Sequence, residues 1–213
     1  MRGQFITFEG GEGSGKSTQA RMLAEHLRRT GRTVLETREP GGSPFAERVR
    51  ALILDPATPP HAALSEALLF MAARADHLET TIRPALAAGG WVVCDRFTDS
   101  TRIYQGAAGG LAPSVLDTLE SLVVGPTRPD LTLLLDLDPA IGLARAHRRR
   151  GGNEATPDGY EARGSDYHER LRAGFLALAE ANPGRIVVLD ATTSPESLAA
   201  RIRDTVALRL GVT

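Results

Sequence analysis

The chain has 213 residues, 42% of them hydrophobic and 24% charged, with a formal net charge of −1. That length suits one domain with a substantial core, and the near-neutral charge gives no electrostatic case for binding a nucleic-acid polymer. A single cysteine, Cys94, excludes an internal disulfide framework, and no apolar run is long enough to span a bilayer. Met1-Arg2-Gly3-Gln4 carries no secretory apolar stretch, so a cytoplasmic location is expected.

The first predicted element is a short strand over 4–8 that runs into Gly10-Gly11-Glu12-Gly13-Ser14-Gly15-Lys16-Ser17. This segment fits G-x-x-x-x-G-K-[ST] in full, the phosphate-binding loop whose backbone N–H groups cradle a nucleotide. Lys16 is the only lysine among the 25 lysines and arginines. A compact ammonium on a flexible stem suits reach toward β- and γ-phosphates. Residues 16–30 follow with Met22, Leu23 and Leu27 at helical spacing, stopped by Gly31. Strand, glycine loop and helix in succession are the context such a motif requires. Gly10, Gly11, Glu12, Gly13, Ser14, Gly15, Lys16, Ser17 and Thr18 are therefore the candidate nucleotide-binding residues, with the Ser17 hydroxyl available to Mg²⁺.

Further apolar runs predict strands over 33–36, 91–94, 131–137 and 185–189, and helical spacing predicts helices over 44–54, 62–88, 114–124, 139–150, 167–181 and 195–210. Cys94 lies in the third strand and reads as a buried, inert thiol. Alternating elements with Val-, Ile- and Leu-rich strands predict a parallel sheet covered by helices on both faces, with the ligand crevice beyond the strands' carboxyl ends. The second strand leads into Thr37-Arg38-Glu39-Pro40-Gly41-Gly42 and the third into Asp95-Arg96. Arg38 and Arg96 either hold a second anion there or pair structurally with Glu39 and Asp95. Residues 151–165 are polar and glycine-containing, and basic His147-Arg148-Arg149-Arg150 precede them. A guanine-specific switch protein is disfavoured, because its N-K-x-D element needs a lysine outside the loop.

Phe8-Glu9-Gly10-Gly11-Glu12-Gly13-Ser14-Gly15-Lys16-Ser17-Thr18-Gln19, Thr37-Arg38-Glu39-Pro40-Gly41-Gly42-Ser43-Pro44 and Asp95-Arg96-Phe97-Thr98-Asp99-Ser100-Thr101-Arg102-Ile103-Tyr104-Gln105-Gly106 resemble, in order, three segments of the thymidylate kinases. The resemblance implies the P-loop nucleoside monophosphate kinase fold: one α/β domain over 1–213, a five-stranded parallel sheet with helices on both faces, and a short lid near 148–165. It implies transfer of a phosphoryl group from ATP to dTMP with Mg²⁺, giving dTDP on the way to dTTP, and a homodimer, for which the 62–88 helix is a candidate interface. It places Arg38 and Arg96 on the dTMP phosphate, Phe70 against thymine, and Arg74, Ser100 and Gln105 as polar contacts near the base. Phe70 and Arg74 are four apart and share a helix face; Phe70 read alone is equally a core residue. Tyr104 would close over the sugar against a 2′-hydroxyl, Glu12 would face the acceptor 3′-hydroxyl, and a cis peptide would precede Pro40. Asp95 would reach Mg²⁺ or partner Arg96.

Some members of the family carry an arginine in the P-loop where this chain has Gly13, and the others supply it from the lid. The second pattern puts the catalytic arginine at Arg149 or Arg150, beside Lys16, Arg96 and Glu12. Family lids often read D-R-x-E, whereas this chain has Asp158-Gly159-Tyr160-Glu161, with Arg163 as a candidate substitute. Thr193 or Ser194 either caps the last helix or lies near adenine. Kinases of UMP, CMP or AMP, deoxynucleoside kinases and non-catalytic ATP-binding modules are the alternatives; the first lack the T-R-E-P-G-G and Y-Q-G pair.

Overall fold

A computed structural model describes residues 3–149, 159–160 and 163–211. Its strands β1 (Phe5–Glu9), β2 (Val34–Arg38), β3 (Trp91–Asp95), β4 (Leu131–Asp136) and β5 (Ile186–Asp190) form one parallel sheet in the order β2-β3-β1-β4-β5. The strand order reverses direction at β1, so the chain leaves the sheet there into a crevice open to both halves. Five strands with carboxyl ends at one edge match the sequence expectation.

β1 is buried on both faces, and its side chains alternate between them. Ile6 and Phe8, with Val93, Leu131, Leu133 and Leu135, pack under α1 (Lys16–Arg29) and α9 (Pro195–Leu210). On the opposite face Phe5, Val92 and Cys94 pack against Leu78, Ile82 and Leu86, while Leu134 and Ile186 meet α8 (Ser165–Ala181). Burial pushes the Cys94 thiol well above its usual range, consistent with an inert core residue. α2 (Pro44–Leu54) starts where Ser43 accepts a hydrogen bond from the Ala46 N–H at 3.2 Å.

Two helical regions differ from the sequence expectation. Residues 62–88 do not form one regular helix: α3 (Ala63–His77) passes through a π-helical stretch (Leu78–Ile82) into α4 (Arg83–Ala87). Pro84 lacks an N–H and its ring crowds the carbonyl of Thr80, and the wider π turn relieves that conflict. Residues 98–107, unassigned from sequence, are helical as α5 (Thr98–Thr101) and a π-helical stretch (Arg102–Ala107). Their start is held from β1: Glu9 Oε1 accepts from the N–H groups of Phe97 at 2.8 Å and Ser100 at 3.2 Å. The cap lies 88 residues away in sequence, beyond the reach of any local pattern. α6 (Pro113–Val123) and α7 (Pro139–Arg149) complete the helices of the described residues. The expected lid near 148–165 falls largely outside those residues, and Arg150 is among the residues not described.

A polar layer crosses the α8 side of the sheet. The Thr7 and Thr132 hydroxyls meet at 2.8 Å across β1 and β4, and Arg185 clamps Asp99 through two bonds of 2.6 and 2.9 Å. This pair fastens α5 to the amino end of β5. Asp99→Ala leaves a part-buried guanidinium without its carboxylate and should cost roughly 3 kcal/mol, seen as a fall of several degrees in Tm.

Candidate active site

The phosphate loop links β1 to α1, and Gly15 sits at the N-cap in a left-handed conformation. Lys16 Nζ is held at 2.7 Å by the Gly11 carbonyl and lies 3.4 Å from Ser14 Oγ. Burial, with the positive charge of Arg96, lowers the Lys16 pKa to about 8 although Glu12 and Asp95 oppose the shift. The Ser17 hydroxyl donates to Asp95 Oδ2, and Asp95 Oδ1 is buried with no hydrogen-bond partner among the described residues. Ser17 and Asp95 thus form an all-oxygen pair at the mouth of the loop, the donor type that suits Mg²⁺ completed by phosphate and water. No cluster of three or more His, Cys, Asp or Glu among the described residues forms a dedicated metal cage.

Two clefts open at the strand ends. The first, of about 660 Å³ including its mouth, is lined by Phe70, Arg74, Tyr104, Gln105 and Tyr160 among others. The second is lined by Glu12, Gly13 and Gly15 to Thr18 of the phosphate loop, with Arg38, Asp95 and Arg149. Glu12, Glu39, Arg50 and Arg96 line both. A group entering from either side therefore meets the same two guanidinium ions.

Arg96 is the only described non-glycine residue with positive φ, at 68°, a conformation that L side chains adopt only when their surroundings hold them there. Its N–H donates to the Phe8 carbonyl at 2.9 Å. Its guanidinium donates to Glu12 Oε1 at 2.5 Å, to the Gly10 carbonyl at 3.1 Å and to Ser100 Oγ at 3.1 Å, and it lies 5.0 Å from the Tyr104 ring centroid. Burial opposes its charge, but Tyr104, Glu12, Asp95 and Glu9 more than offset this and raise its pKa. Burial also opposes ionisation of Glu12, yet Arg96 and Lys16, then Tyr104 and Arg149, hold its pKa down at about 2. Beneath them Glu9 receives the Ser100 hydroxyl at 2.6 Å. Burial first, and Asp99 second, push its pKa up to about 7.

The sequence-predicted residues fall into distinct places. Phe70, Arg74, Ser100, Tyr104 and Gln105 all line the first cleft. Ser100 is engaged twice, donating to Glu9 and accepting from Arg96. Arg74 is buried at 2% exposure, pairs with Glu39 Oε2 at 2.7 Å and donates to Thr101 Oγ1 at 3.1 Å; its Nη1 has only the Met71 thioether at 3.6 Å. Glu39 is also bonded by His77 Nδ1 at 3.0 Å, so its partners are Arg74 and His77, and not the Arg38 that the sequence offered. Arg38 lies on the phosphate-loop side, exposed, and pairs with Glu47 at 3.0 Å. Asp95 meets Ser17, and Arg96 meets Glu12. The Glu39–Pro40 peptide is cis. Ser194 caps α9, accepting from the Ser197 N–H at 3.2 Å.

Two lining residues, and one carboxylate behind them, escaped the sequence reading. Arg50 reaches the junction from α2 and donates to the Pro40 carbonyl at 2.8 Å; burial and then Arg38 lower its pKa. Its position three residues after Glu47, on the helix that follows T-R-E-P-G-G, is the signal that points back to the crevice. Tyr160 stacks edge-on to Tyr104 with centroids 5.6 Å apart and donates to Glu66 Oε1 at 2.7 Å. Glu66 itself carries no cue in sequence, because its partners Gln105 and Tyr160 lie 39 and 94 residues away.

Gly13 explains why the P-loop carries no arginine. It has φ 67°, and a Cβ there would lie 2.0 Å from the Gly142 carbonyl oxygen; a Cβ on Gly142 would in turn lie 2.2 Å from the Glu12 carbonyl oxygen. The loop and α7 meet backbone to backbone, and that contact sets the helix whose last residue, Arg149, lines the phosphate-loop cleft. Gly→Ala in a helix normally stabilises by about 1 kcal/mol, but Gly142→Ala should lower Tm, costing about 1–3 kcal/mol through the clash, and reduce kcat by shifting Arg149. A second expectation concerns Glu9. Its pKa rises from 4.5 to about 7 on folding, so the native chain holds an extra proton between those values. Its contribution to stability is present at acid pH and lost as pH rises through about 7. Glu9→Gln, scanned by thermal melts between about pH 5 and 8, should flatten that part of the stability curve.

The comparisons with known proteins agree with this architecture. The family model for thymidylate kinase matches residues 8–202. A thymidylate kinase of Rhodopseudomonas palustris is 51% identical over 211 residues, 99% of this chain and 91% of that protein. One from Caulobacter vibrioides is 50% identical over 211 residues, 99% of each chain. A crystal structure of thymidylate kinase from Ehrlichia chaffeensis superposes with a TM-score of 0.78 at 32% identity, covering 97% of this chain and all of that one. With the phosphate loop, the paired clefts and the guanidinium junction in the same chain, this protein belongs to the thymidylate kinase family.

Proposed function

We propose that the chain transfers the γ-phosphoryl group of ATP to dTMP, giving dTDP, and that the reaction takes place where the two clefts meet. The observation that carries this reading is the sharing of Glu12, Arg50 and Arg96 between them. ATP would enter along Gly10–Thr18, with Lys16 leaving the Gly11 carbonyl to reach the β- and γ-phosphates. dTMP would enter the first cleft with its phosphate between Arg96 and Arg50, and with Arg38 at the outer rim. Phe70 would stack on thymine, and Arg74 would direct its under-used Nη1 to a base carbonyl. Gln105 Oε1, buried without a partner among the described residues, would accept from the base N3–H. Tyr104, whose hydroxyl donates to Glu12 at 3.3 Å, would wall the sugar and leave no room for a 2′-hydroxyl.

No general base is required. A phosphate monoester has a second pKa of about 6, so dTMP arrives largely as the dianion, and the chain's task is alignment and charge stabilisation. Ser17 and Asp95 would hold Mg²⁺, which on binding supplies charge neutralisation to the donor phosphate oxygens. Glu12 keeps Arg96 oriented in the absence of substrate and would release part of that bond to an incoming phosphate while turning toward the 3′-hydroxyl. Arg149, which ends α7 and lines the phosphate-loop cleft, would stabilise the transferring group; Arg150 lies outside the described residues.

We also propose that two copies pair through α2 and α3, where Phe45, Leu52, Leu64 and Leu68 are each 44–50% exposed. Among the described residues no helix is long and apolar enough to cross a membrane, and the proposed substrates locate the activity in the cytoplasm. An ADP-release assay with ATP and Mg²⁺ tests the acceptor: turnover on dTMP far above UMP, AMP and thymidine is expected, and best turnover on thymidine would overturn the phosphate-site assignment of Arg96 and Arg50. Arg149→Ala should lower kcat by roughly 10³ with the KM for dTMP little changed; full activity would remove Arg149 from the reaction.

A further inference from the structure

The lining of the first cleft includes a single carboxamide, Gln105, which is 1% exposed. Its Nε2 donates to Glu66 Oε2 at 2.9 Å, and its Oε1 is buried without a hydrogen-bond partner among the described residues. A carboxylate carries no hydrogen and only accepts. With Glu66 on one side, the amide nitrogen must face that carboxylate and the carbonyl must face away from it. Glu66 is itself fixed: Tyr160 donates to its Oε1 at 2.7 Å, and an Arg163 nitrogen lies 3.9 Å from the same oxygen. The Arg163 guanidinium in turn covers the Tyr160 and Tyr167 rings at 5.0 and 4.6 Å. A hydroxyl donor and a guanidinium thus converge on one oxygen of Glu66, leaving the other to the Gln105 amide.

We infer that Glu66 is a specificity-positioning residue, which locks the Gln105 carboxamide with its carbonyl toward the acceptor base and so selects bases that carry an N3–H. This rests on the proposed contact of Gln105 with the base. Thymine and uracil offer a donor at N3, whereas cytosine offers a lone pair there. An unrestrained glutamine reads both, because a turn of the amide plane exchanges C=O for N–H₂ at small cost. Locked by Glu66, it meets cytosine with two acceptors facing each other and a buried oxygen left unpaired. A site built for one hydrogen-bonding pattern rejects the analogue lacking it far more strongly than an apolar pocket rejects a change of size. Glu66 does this from outside the cleft, without touching substrate.

Glu66→Gln is the test, because glutamine keeps the shape and still accepts from Tyr160, but it either donates to or accepts from Gln105. Initial rates with dTMP, dUMP and dCMP should show the dTMP-to-dCMP ratio of kcat/KM falling by about tenfold or more, with the dTMP-to-dUMP ratio unchanged, since both bases carry N3–H. An unchanged dTMP-to-dCMP ratio, or an equal loss on all three nucleotides, would overturn the inference and leave Glu66 as a tether for Tyr160 and Arg163. If Glu66→Gln does not fold, Glu66→Asp reads the same ratio by drawing the oxygens back one methylene. Wild-type protein offers an independent check: N3-methyl-dTMP should bind at least about tenfold more weakly than dTMP. Equal binding would show that Gln105 does not accept from N3 and would overturn the inference at its base, while leaving dTMP phosphorylation intact.

Discussion

The guanidinium of Arg96 is the constraint on which the rest of the site depends. A largely buried cation must find acceptors around it or lose its charge, and an arginine does not lose its charge. Around it lie Glu12 in the phosphate loop, the Gly10 carbonyl at the end of β1 and Ser100 on α5. Those three partners come from the two segments that must be registered for phosphoryl transfer. Forming the Arg96 shell therefore aligns the nucleotide loop with the acceptor cleft before either ligand arrives. The positive φ of Arg96 is the local cost of turning its side chain back across the sheet edge, and the bond from its N–H to Phe8 holds that turn in place.

The same shell leaves the junction short of negative charge. Lys16 and Arg50 are each perturbed toward neutrality, burial first and a neighbouring arginine next, Arg96 for Lys16 and Arg38 for Arg50. Glu12 and Asp95 beside Lys16, and Glu47 and Asp95 beside Arg50, offset only part of this. A triphosphate on one side and a phosphate dianion on the other would complete the balance, in a setting where Coulombic attraction is stronger than in water. Affinity for anions and readiness to stabilise a transferring phosphoryl group then have one cause. Glu9 belongs to this balance from below: its raised pKa reflects a carboxylate kept for its hydrogen bonds to Phe97 and Ser100, in a place that favours its neutral form.

What was legible in the sequence was local. The phosphate loop, the five strands and most helix limits follow from periodicity, glycine placement and prolines within a few residues of each boundary. The 98–107 helix was not legible, because its cap is Glu9 from another strand and its Tyr-Gln-Gly content carries little helical preference. Arg50 was hidden for a related reason: an arginine on an amphipathic helix reads as solvent-facing until the phase of that helix against T-R-E-P-G-G is known. Arg38 shows the reverse case. Following a strand, it reads either as an anion holder or as a partner of Glu39; its carboxylate partner is instead Glu47, one helical turn into α2, on the phosphate-loop side. The pairing of Gly13 with Gly142 explains a departure that sequence comparison registered only as a missing arginine: the contact that seats α7 excludes any side chain there.

The arginines that brace the fold follow from the same geometry. Arg74, Arg96 and Arg185 each hold two or more partners, and Arg172 clamps both oxygens of Asp136 at 2.7 and 2.9 Å. A planar fork fixes the relative position of the groups it bridges, and these four join segments distant in sequence. A lysine in their place would supply charge without direction. At the phosphate loop the requirement is the opposite. In the proposed reaction Lys16 would exchange partners as a nucleotide binds and as its phosphate leaves, and Nζ rests on one carbonyl at 2.7 Å and more loosely on Ser14. A point charge on a flexible stem gives up such contacts without disturbing the frame around it. The chain thus places fixed forks wherever the fold must be held and its one mobile cation where the chemistry moves.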